Sequence, residues 1–125
     1  MRVLLVDDSP IIRCMQRRCL SSLESAEFAE AGDGVEALAI LASAPPFDLV
    51  LIDWNMPNMD GLTLVGKIRE SDRRLPLIMC TAVAERKLVI EAMHAGVNNY
   101  VVKPFSPAGL LDKVRQTLEK AKAVA

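Results

Sequence analysis

The chain has 125 residues, of which 51% are hydrophobic and 25% charged, enough to bury the core of one globular domain. A formal net charge of −1 argues against a general nucleic-acid or membrane-surface binder, and an aromatic content of 4% argues against a stacking platform for single strands. No apolar run reaches the roughly 18 residues of a membrane-spanning helix, and no leader pattern precedes the first apolar run. We expect one domain over residues 1–125, located in the cytoplasm.

Apolar runs suited to buried strands alternate along the chain with segments of helical period. The predicted strands are Val3–Val6, the weaker Glu27–Ala31, Leu49–Ile52, Leu77–Cys80 and Tyr100–Val102. Alternation of this kind predicts a parallel sheet with helices on both faces, an α/β fold.

The five helical segments have recognisable ends and apolar stripes. Their predicted boundaries are Ser9-Pro10 at the start of the first, Ala44-Pro45-Pro46 after the second, Ala84–Ala95 with Gly96 for the fourth, and Ser106-Pro107 at the start of the fifth. The stripes predicted to face the core are Ile12, Met15, Cys19 and Leu23; Val35, Leu38, Ala39 and Ala42; Leu62, Val65 and Ile68; and Leu110, Leu111, Val114 and Leu118.

Three cysteines, Cys14, Cys19 and Cys80, match no zinc-binding spacing and do not pair evenly. Free cysteine is among the most often buried residue types. We therefore predict reduced and mostly buried thiols.

Five polar residues stand where a predicted strand gives way to its loop. Asp7 and Asp8 follow the first strand, Asp53 the third, Thr81 the fourth and Lys103 the fifth. In open α/β sheets, ligands bind at this carboxyl edge, where the strand order reverses. If the first and third strands are neighbours, three carboxylates meet in one crevice and repel one another unless a cation is present.

Mg²⁺ suits such a group of carboxylates, because it takes oxygen ligands, keeps several waters and is usually held by one or two carboxylates plus a phosphate. Lys103 and the Thr81 hydroxyl would then offer a cation and a donor to the phosphate oxygens. A metal, a counter-charge, a hydroxyl and an oxygen nucleophile are what phosphoryl transfer needs.

At this point the sequence resembles a known family, the receiver domain of two-component response regulators in the CheY-like superfamily. The segments that carry the resemblance are, in order, VLLVDDSP, AGDGVEAL, DLVLIDWNMPNMDG, MCTA and AGVNNYVVKPF, and together they cover almost the whole chain. The resemblance implies a doubly wound, flavodoxin-like (βα)₅ domain of three layers, with strand order 2-1-3-4-5.

The same resemblance implies a role for each acidic residue. Asp53 would accept a phosphoryl group from a histidine kinase or a histidine phosphotransfer protein. Asp8 and Asp53 would bind Mg²⁺, or Mn²⁺ in its place, Asp7 would act mostly through a water, and Asn55 would give its backbone carbonyl. Asp33 and Asp60 each precede a glycine and are predicted to serve turns.

The remaining site residues would hold the phosphoryl group and carry the switch. The resemblance implies that Lys103, followed by a cis bond to Pro104, pairs with the phosphoryl oxygens. Thr81 would hydrogen-bond the phosphoryl group, and Tyr100 would turn inward as Thr81 moves. Val83 stands two residues past Thr81 and cannot orient an attacking water, so we predict slower autodephosphorylation than an acidic residue there would give.

The implied output surface is the fourth helix, fifth strand and fifth helix, roughly Ala84 to Ala121, and it would act on a downstream protein or output domain. The first helix, with Ile11, Ile12 and Met15 near its start, would meet the phosphodonor. We expect no direct contact with nucleic acid or membrane, and a monomer or a weak phospho-dependent dimer. A stand-alone regulator and a receiver cut from a longer protein both fit the sequence.

Two other classes of function share some of these features. An aspartate-nucleophile, Mg²⁺-dependent phosphohydrolase would use the same aspartyl phosphate chemistry. Such enzymes keep a second aspartate two residues after the nucleophile on the first strand, whereas Asp53 is followed by Trp54 and Asn55. An interaction domain with an inactive site is disfavoured by the intact acids. We expect a signalling module that catalyses only its own phosphotransfer and autodephosphorylation, and is not an enzyme otherwise.

Overall fold

A computed structural model describes residues 1–23, 25–43 and 46–124. Within these residues, five strands form a parallel sheet in the order β2-β1-β3-β4-β5, which confirms the predicted fold. The elements are β1 (Arg2–Val6), α1 (Pro10–Cys19), β2 (Glu27–Ala31), α2 (Gly34–Ser43), β3 (Leu49–Ile52), α3 (Gly61–Ser71), β4 (Leu77–Thr81), α4 (Arg86–Ala95), β5 (Asn99–Val102) and α5 (Pro107–Val124).

The apolar strands divide their side chains between two cores, one on each face of the sheet. Alternate residues of β3 point to opposite faces, so Val50 and Ile52 lie in one core and Leu49 and Leu51 in the other. Helices α2, α3 and α4 cover the first face, while α1 and α5 cover the second. Burial on both faces explains why the three inner strands β1, β3 and β4 are largely continuous apolar runs.

Most predicted helix ends are confirmed. The Ser9 hydroxyl accepts a hydrogen bond from Ile12 N at 3.3 Å, and Gly96 ends α4 with a φ of 121°. Helix α4 begins at Arg86, so the predicted start at Ala84 is wrong. Residues 82–85 belong instead to the loop after β4. The predicted stop of the second helix at Ala44-Pro45 lies outside the described residues.

The predicted core faces of the first two helices are partly wrong. Met15 is 44% exposed and Val35 is 53% exposed, while Gln16 and Ala37 are buried. Helix α2 is apolar around most of its circumference, so its sequence does not select one face. Helix α1 ends at Cys19, so Leu23, the last residue of its predicted stripe, lies beyond the helix. The other exposed members of the predicted stripes are Ala39 and Ala42.

The three thiols are free, but the prediction that they are mostly buried is wrong for Cys14, which is exposed on the outer face of α1. Cys19 is half-buried and Cys80 is buried. Burial raises the pKa of the Cys80 thiol to about 11. None of the helices in the described part of the chain has the length and apolar character that crossing a membrane requires.

Candidate functional site

Three aspartates meet at the carboxyl edge of the sheet because β1 and β3 are neighbours. Val6 is in register with Ile52, and Asp53 N donates to the Val6 carbonyl at 2.9 Å. One oxygen each of Asp7, Asp8 and Asp53 lies within 4.8 Å of the other two. Asp7 and Asp53 are buried, whereas Asp8 is exposed. Hard oxygen donors this close together suit a divalent cation.

Lys103 reaches two of these acids from the end of β5. Its Nζ lies 2.6 Å from Asp7 Oδ2 and 3.6 Å from Asp53 Oδ2. Burial alone would lower the pKa of Lys103, but the Asp7 hydrogen bond and the Asp53 charge outweigh burial and raise it. Lys103 therefore carries its charge inside the site. The bond from Lys103 to Pro104 is cis.

Asp53 has the opposite balance. Burial raises the pKa of its carboxyl group, and the hydrogen bond with Thr81 and the charge of Lys103 offset this only in part. The site of Asp53 therefore disfavours the ionised carboxylate, as expected where a further cation is needed to balance the charges of the acids.

We expect Asp53→Asn to raise the free energy of unfolding at neutral pH by about 1 kcal/mol in the absence of divalent cations. The pKa of Asp53 is higher in the folded than in the unfolded state, so wild-type stability falls as pH rises through the interval between the two values and stays lower above it. Asparagine removes that loss, and the difference from wild type should vanish below about pH 4.

Urea unfolding at neutral and acidic pH, with Asp60→Asn as control, measures this effect. Asp60 caps α3 by accepting from Thr63 N at 2.7 Å, and asparagine caps a helix equally well. An Asp53→Asn protein that is less stable than wild type at neutral pH would contradict the argument.

Thr81 and Tyr100 are linked through the loop after β4. Thr81 is the last residue of β4 and is buried beside Asp53, and its Oγ1 accepts from Val83 N at 3.4 Å. The Tyr100 hydroxyl donates to the Val83 carbonyl at 2.6 Å. Burial and the Asp53 charge both raise the pKa of Tyr100, so the hydroxyl keeps its proton for this bond. The loop is thus tied to both β4 and β5.

The loop after β3 fits closely under Asp53. Gly61 N donates to the Trp54 carbonyl at 2.8 Å, and a Cβ at Gly61 would overlap the Asp53 carbonyl oxygen. Asn55 is exposed on this loop. Asp33 accepts from Glu36 N at 2.8 Å and from Asn58 Nδ2. It therefore caps the first turn of α2 rather than serving a separate turn, and it lies outside the acidic group.

Sequence reasoning missed Arg13. Its Nη1 donates to the Asp7 carbonyl, and its Nε lies 2.7 Å from Glu30 Oε1 on β2. An arginine within a helix gives no sequence signal of such contacts, because the partners come from β1 and β2. Only the packing of α1 against the sheet brings them together.

A five-stranded parallel sheet with a group of acids at its carboxyl edge is typical of one class of signalling domain. Comparison with known proteins agrees, and the chain belongs to the response regulator receiver domains. The family model described as "Response regulator receiver domain" matches residues 3–115. Members of this family are phosphoacceptor signalling modules rather than classical enzymes, and they interact with a kinase or phosphotransfer partner.

Individual relatives resemble the chain over nearly its whole length. "Chemotaxis protein CheY" of Pseudomonas aeruginosa is 43% identical over 122 residues, which cover 96% of this chain and 98% of that protein. "Chemotaxis protein CheY-3" of Vibrio cholerae is 42% identical, with coverage of 96% and 93%. The crystal structure of a CheY-like receiver domain protein from Methanospirillum hungatei JF-1 has a TM-score of 0.90 at 29% identity, with coverage of 99% and 98%.

Proposed function

We propose that the chain accepts a phosphoryl group on Asp53 from a histidine kinase or histidine phosphotransfer protein, in a Mg²⁺-dependent reaction, and then switches the surface formed by α4, β5 and α5. The observation that carries the proposal is the group of Asp7, Asp8 and Asp53 at one sheet edge, with Lys103 bridging two of them. The altered surface would control a protein partner or an output domain.

In this proposal Asp8, Asp53 and the Asn55 backbone carbonyl hold Mg²⁺, or Mn²⁺ in its place, and Asp7 acts through a water. The donor set fits, because it offers only oxygens and combines one exposed acid with two buried ones. When bound, the cation supplies positive charge to the phosphoryl oxygens. Asp7 is engaged by Lys103, which supports an indirect role for it.

Asp53, Lys103 and Thr81 would act directly on the phosphoryl group. The ionised Asp53 carboxylate, which the Lys103 charge favours, attacks phosphorus while the bond from phosphorus to the donor's histidine nitrogen breaks. The phosphoryl group brings about two negative charges next to Lys103 and the Thr81 hydroxyl. A shift of Thr81 toward these charges pulls on the loop that Tyr100 holds at Val83, and so reaches the start of α4.

Incubation with acetyl phosphate and Mg²⁺ tests the proposal. We expect a mass gain of one phosphoryl group on Asp53, absent in Asp53→Asn and retained in Asp60→Asn. Trp54 lies beside the site, so Mg²⁺ or beryllofluoride should change its fluorescence. Turnover of a phosphomonoester would instead indicate a phosphohydrolase. If folded protein shows no adduct and no fluorescence change, the chain would instead be an inactive interaction domain.

We expect Val83→Glu to shorten the lifetime of the phosphorylated protein by about tenfold, a small share of what a fully positioned general base supplies. The physical reason is that a carboxylate there can orient the attacking water, which a valine side chain cannot do. Decay of purified phosphoprotein measures it, and Val83→Ala, which removes bulk without adding a polar group, is the control. An unchanged decay in Val83→Glu would refute the idea.

The proposal extends to the rest of the chain. Residues 1–125 would form one receiver domain that acts in the cytoplasm, where free thiols such as these stay reduced. It would work as a monomer or a weak phospho-dependent dimer. The phosphodonor would meet α1, where Ile11 is 73% exposed. The curated relatives are named chemotaxis proteins, so motility is the first output to assay.

A further inference from the structure

Asp7 is held at four of its atoms, and one of those contacts comes from Arg13 on α1. Asp7 N donates to the Ala31 carbonyl at 3.0 Å, Oδ1 accepts from Ser9 N at 2.9 Å, and Oδ2 accepts from Lys103. The fourth contact is the hydrogen bond from Arg13 Nη1 to the Asp7 carbonyl. This last bond is the one that bears on Asp8.

The Asp8 carboxylate is exposed, and no hydrogen bond reaches it from the described residues. Its position therefore depends on its backbone. The Asp7 carbonyl and the Asp8 amide belong to one planar peptide unit. A donor that holds the Asp7 carbonyl oxygen in place therefore also restricts the position of Asp8 Cα. Arg13 is such a donor.

Arg13 is itself held firmly. Its side chain is only 16% exposed, and its Nε lies 2.7 Å from Glu30 Oε1. Glu30 sits on β2 in register with Leu5 of β1, so this anchor belongs to the sheet that also carries Asp7. A guanidinium can donate to a carbonyl and a carboxylate at once from separate nitrogens, which a lysine ammonium cannot do in the same geometry.

We propose that Arg13 is a positioning residue for the metal site: it bridges Glu30 and the Asp7 carbonyl and so holds the Asp7–Asp8 turn in the arrangement that binds the divalent cation. The proposal rests on the proposed function, because it assumes that Mg²⁺ binds between Asp7, Asp8 and Asp53. It adds a supporting residue that touches neither the cation nor the phosphoryl group.

Arg17 offers a matched control on the same helix. Its Nη2 lies 2.8 Å from Glu30 Oε2, so Arg17→Ala removes one positive charge and one Glu30 ion pair, as Arg13→Ala does. It leaves the hydrogen bond from Arg13 to the Asp7 carbonyl in place. The two variants therefore separate the support of the turn from the general effect of charge.

The experiment is a Mg²⁺ titration of the full chain followed by Trp54 fluorescence, with acetyl phosphate labelling measured across the same Mg²⁺ range. Arg13→Ala should raise the Mg²⁺ concentration for half-saturation about tenfold. Arg13→Lys should also raise this concentration, and it should lower the free energy of unfolding less than Arg13→Ala does. Arg17→Ala should stay within about twofold of wild type. Saturating Mg²⁺ should restore labelling of the Arg13 variants, because Asp53, Lys103 and Thr81 are intact.

The outcomes separate this proposal from the proposed function. If wild type shows neither Mg²⁺ binding nor labelling, the proposed function itself fails. If wild type binds Mg²⁺ and both Arg13 variants match Arg17→Ala in folded protein, the positioning role of Arg13 is refuted. Labelling that excess Mg²⁺ does not restore would also overturn it, because the defect would then lie outside the metal site.

Discussion

Lys103→Met should slow the labelling of Asp53 by acetyl phosphate by roughly 10²–10³-fold at saturating Mg²⁺. Lys103 Nζ lies 2.6 Å from Asp7 and 3.6 Å from Asp53, so it is placed to neutralise charge that builds up on phosphoryl oxygens. Methionine has a similar length but no charge.

The same change should tighten Mg²⁺ binding, because Lys103 competes with a bound cation for the acids. It should also lower the free energy of unfolding by about 3 kcal/mol without divalent cations, since Asp7 is left buried and without its counter-charge. Opposite shifts in metal affinity and labelling rate distinguish loss of the lysine charge from general damage.

Rates of acetyl phosphate labelling, Mg²⁺ titration followed by Trp54 fluorescence and urea unfolding measure the three effects. Lys67→Met is the control, because Lys67 is exposed on α3 and the variant loses the same charge at a residue outside the acidic group. Wild-type labelling rates in Lys103→Met would show that the lysine contributes nothing to the transfer.

Gly61→Ala should lower the free energy of unfolding by about 3 kcal/mol or more. The added Cβ would overlap the Asp53 carbonyl oxygen and lie 2.9 Å from Trp54 Cα. Both are backbone atoms, so no side chain can rotate away to relieve the overlap. The start of α3 or the end of β3 must shift, and labelling of Asp53 should fall as well.

Gly66→Ala provides a control on the same helix. Within the described residues, a Cβ at Gly66 meets nothing within 4 Å, so alanine there should stabilise α3 by up to about 1 kcal/mol. Urea unfolding of the two variants under identical conditions measures the contrast. Equal effects of the two substitutions would show that the close approach of Gly61 to Asp53 does not constrain the fold.

The strands and the site acids were predictable because both depend on local patterns. Leu49–Ile52 is an unbroken apolar run, and the structure gives β3 the same bounds. A strand's end also fixes which edge the next residue occupies, so Asp53 and Lys103 could be assigned to the carboxyl edge from sequence. The arrangement of their side chains depends on the strand order, which the family resemblance supplied.

What the sequence could not show depends on contacts between distant segments. Gln16 is buried although it is polar, because α1 packs that face against the sheet and the Cys80 thiol. Arg13 could not be assigned to the site, because its partner Glu30 is 17 residues away on β2. The prediction of which face of α2 packs on the core was wrong, because an almost uniformly apolar helix has no single apolar face.

The ion pair between Asp7 and Lys103 joins residues 96 positions apart, and Asp53 comes from the middle of the chain. An unfolded chain does not bring these groups together, so a cation bound among the acids binds only the folded state. Its binding free energy then adds to the stability of the whole domain, by about 2.7 kcal/mol at a concentration one hundred times the dissociation constant. The thermal midpoint of this chain should therefore rise with Mg²⁺ concentration and report occupancy of the acids without any label.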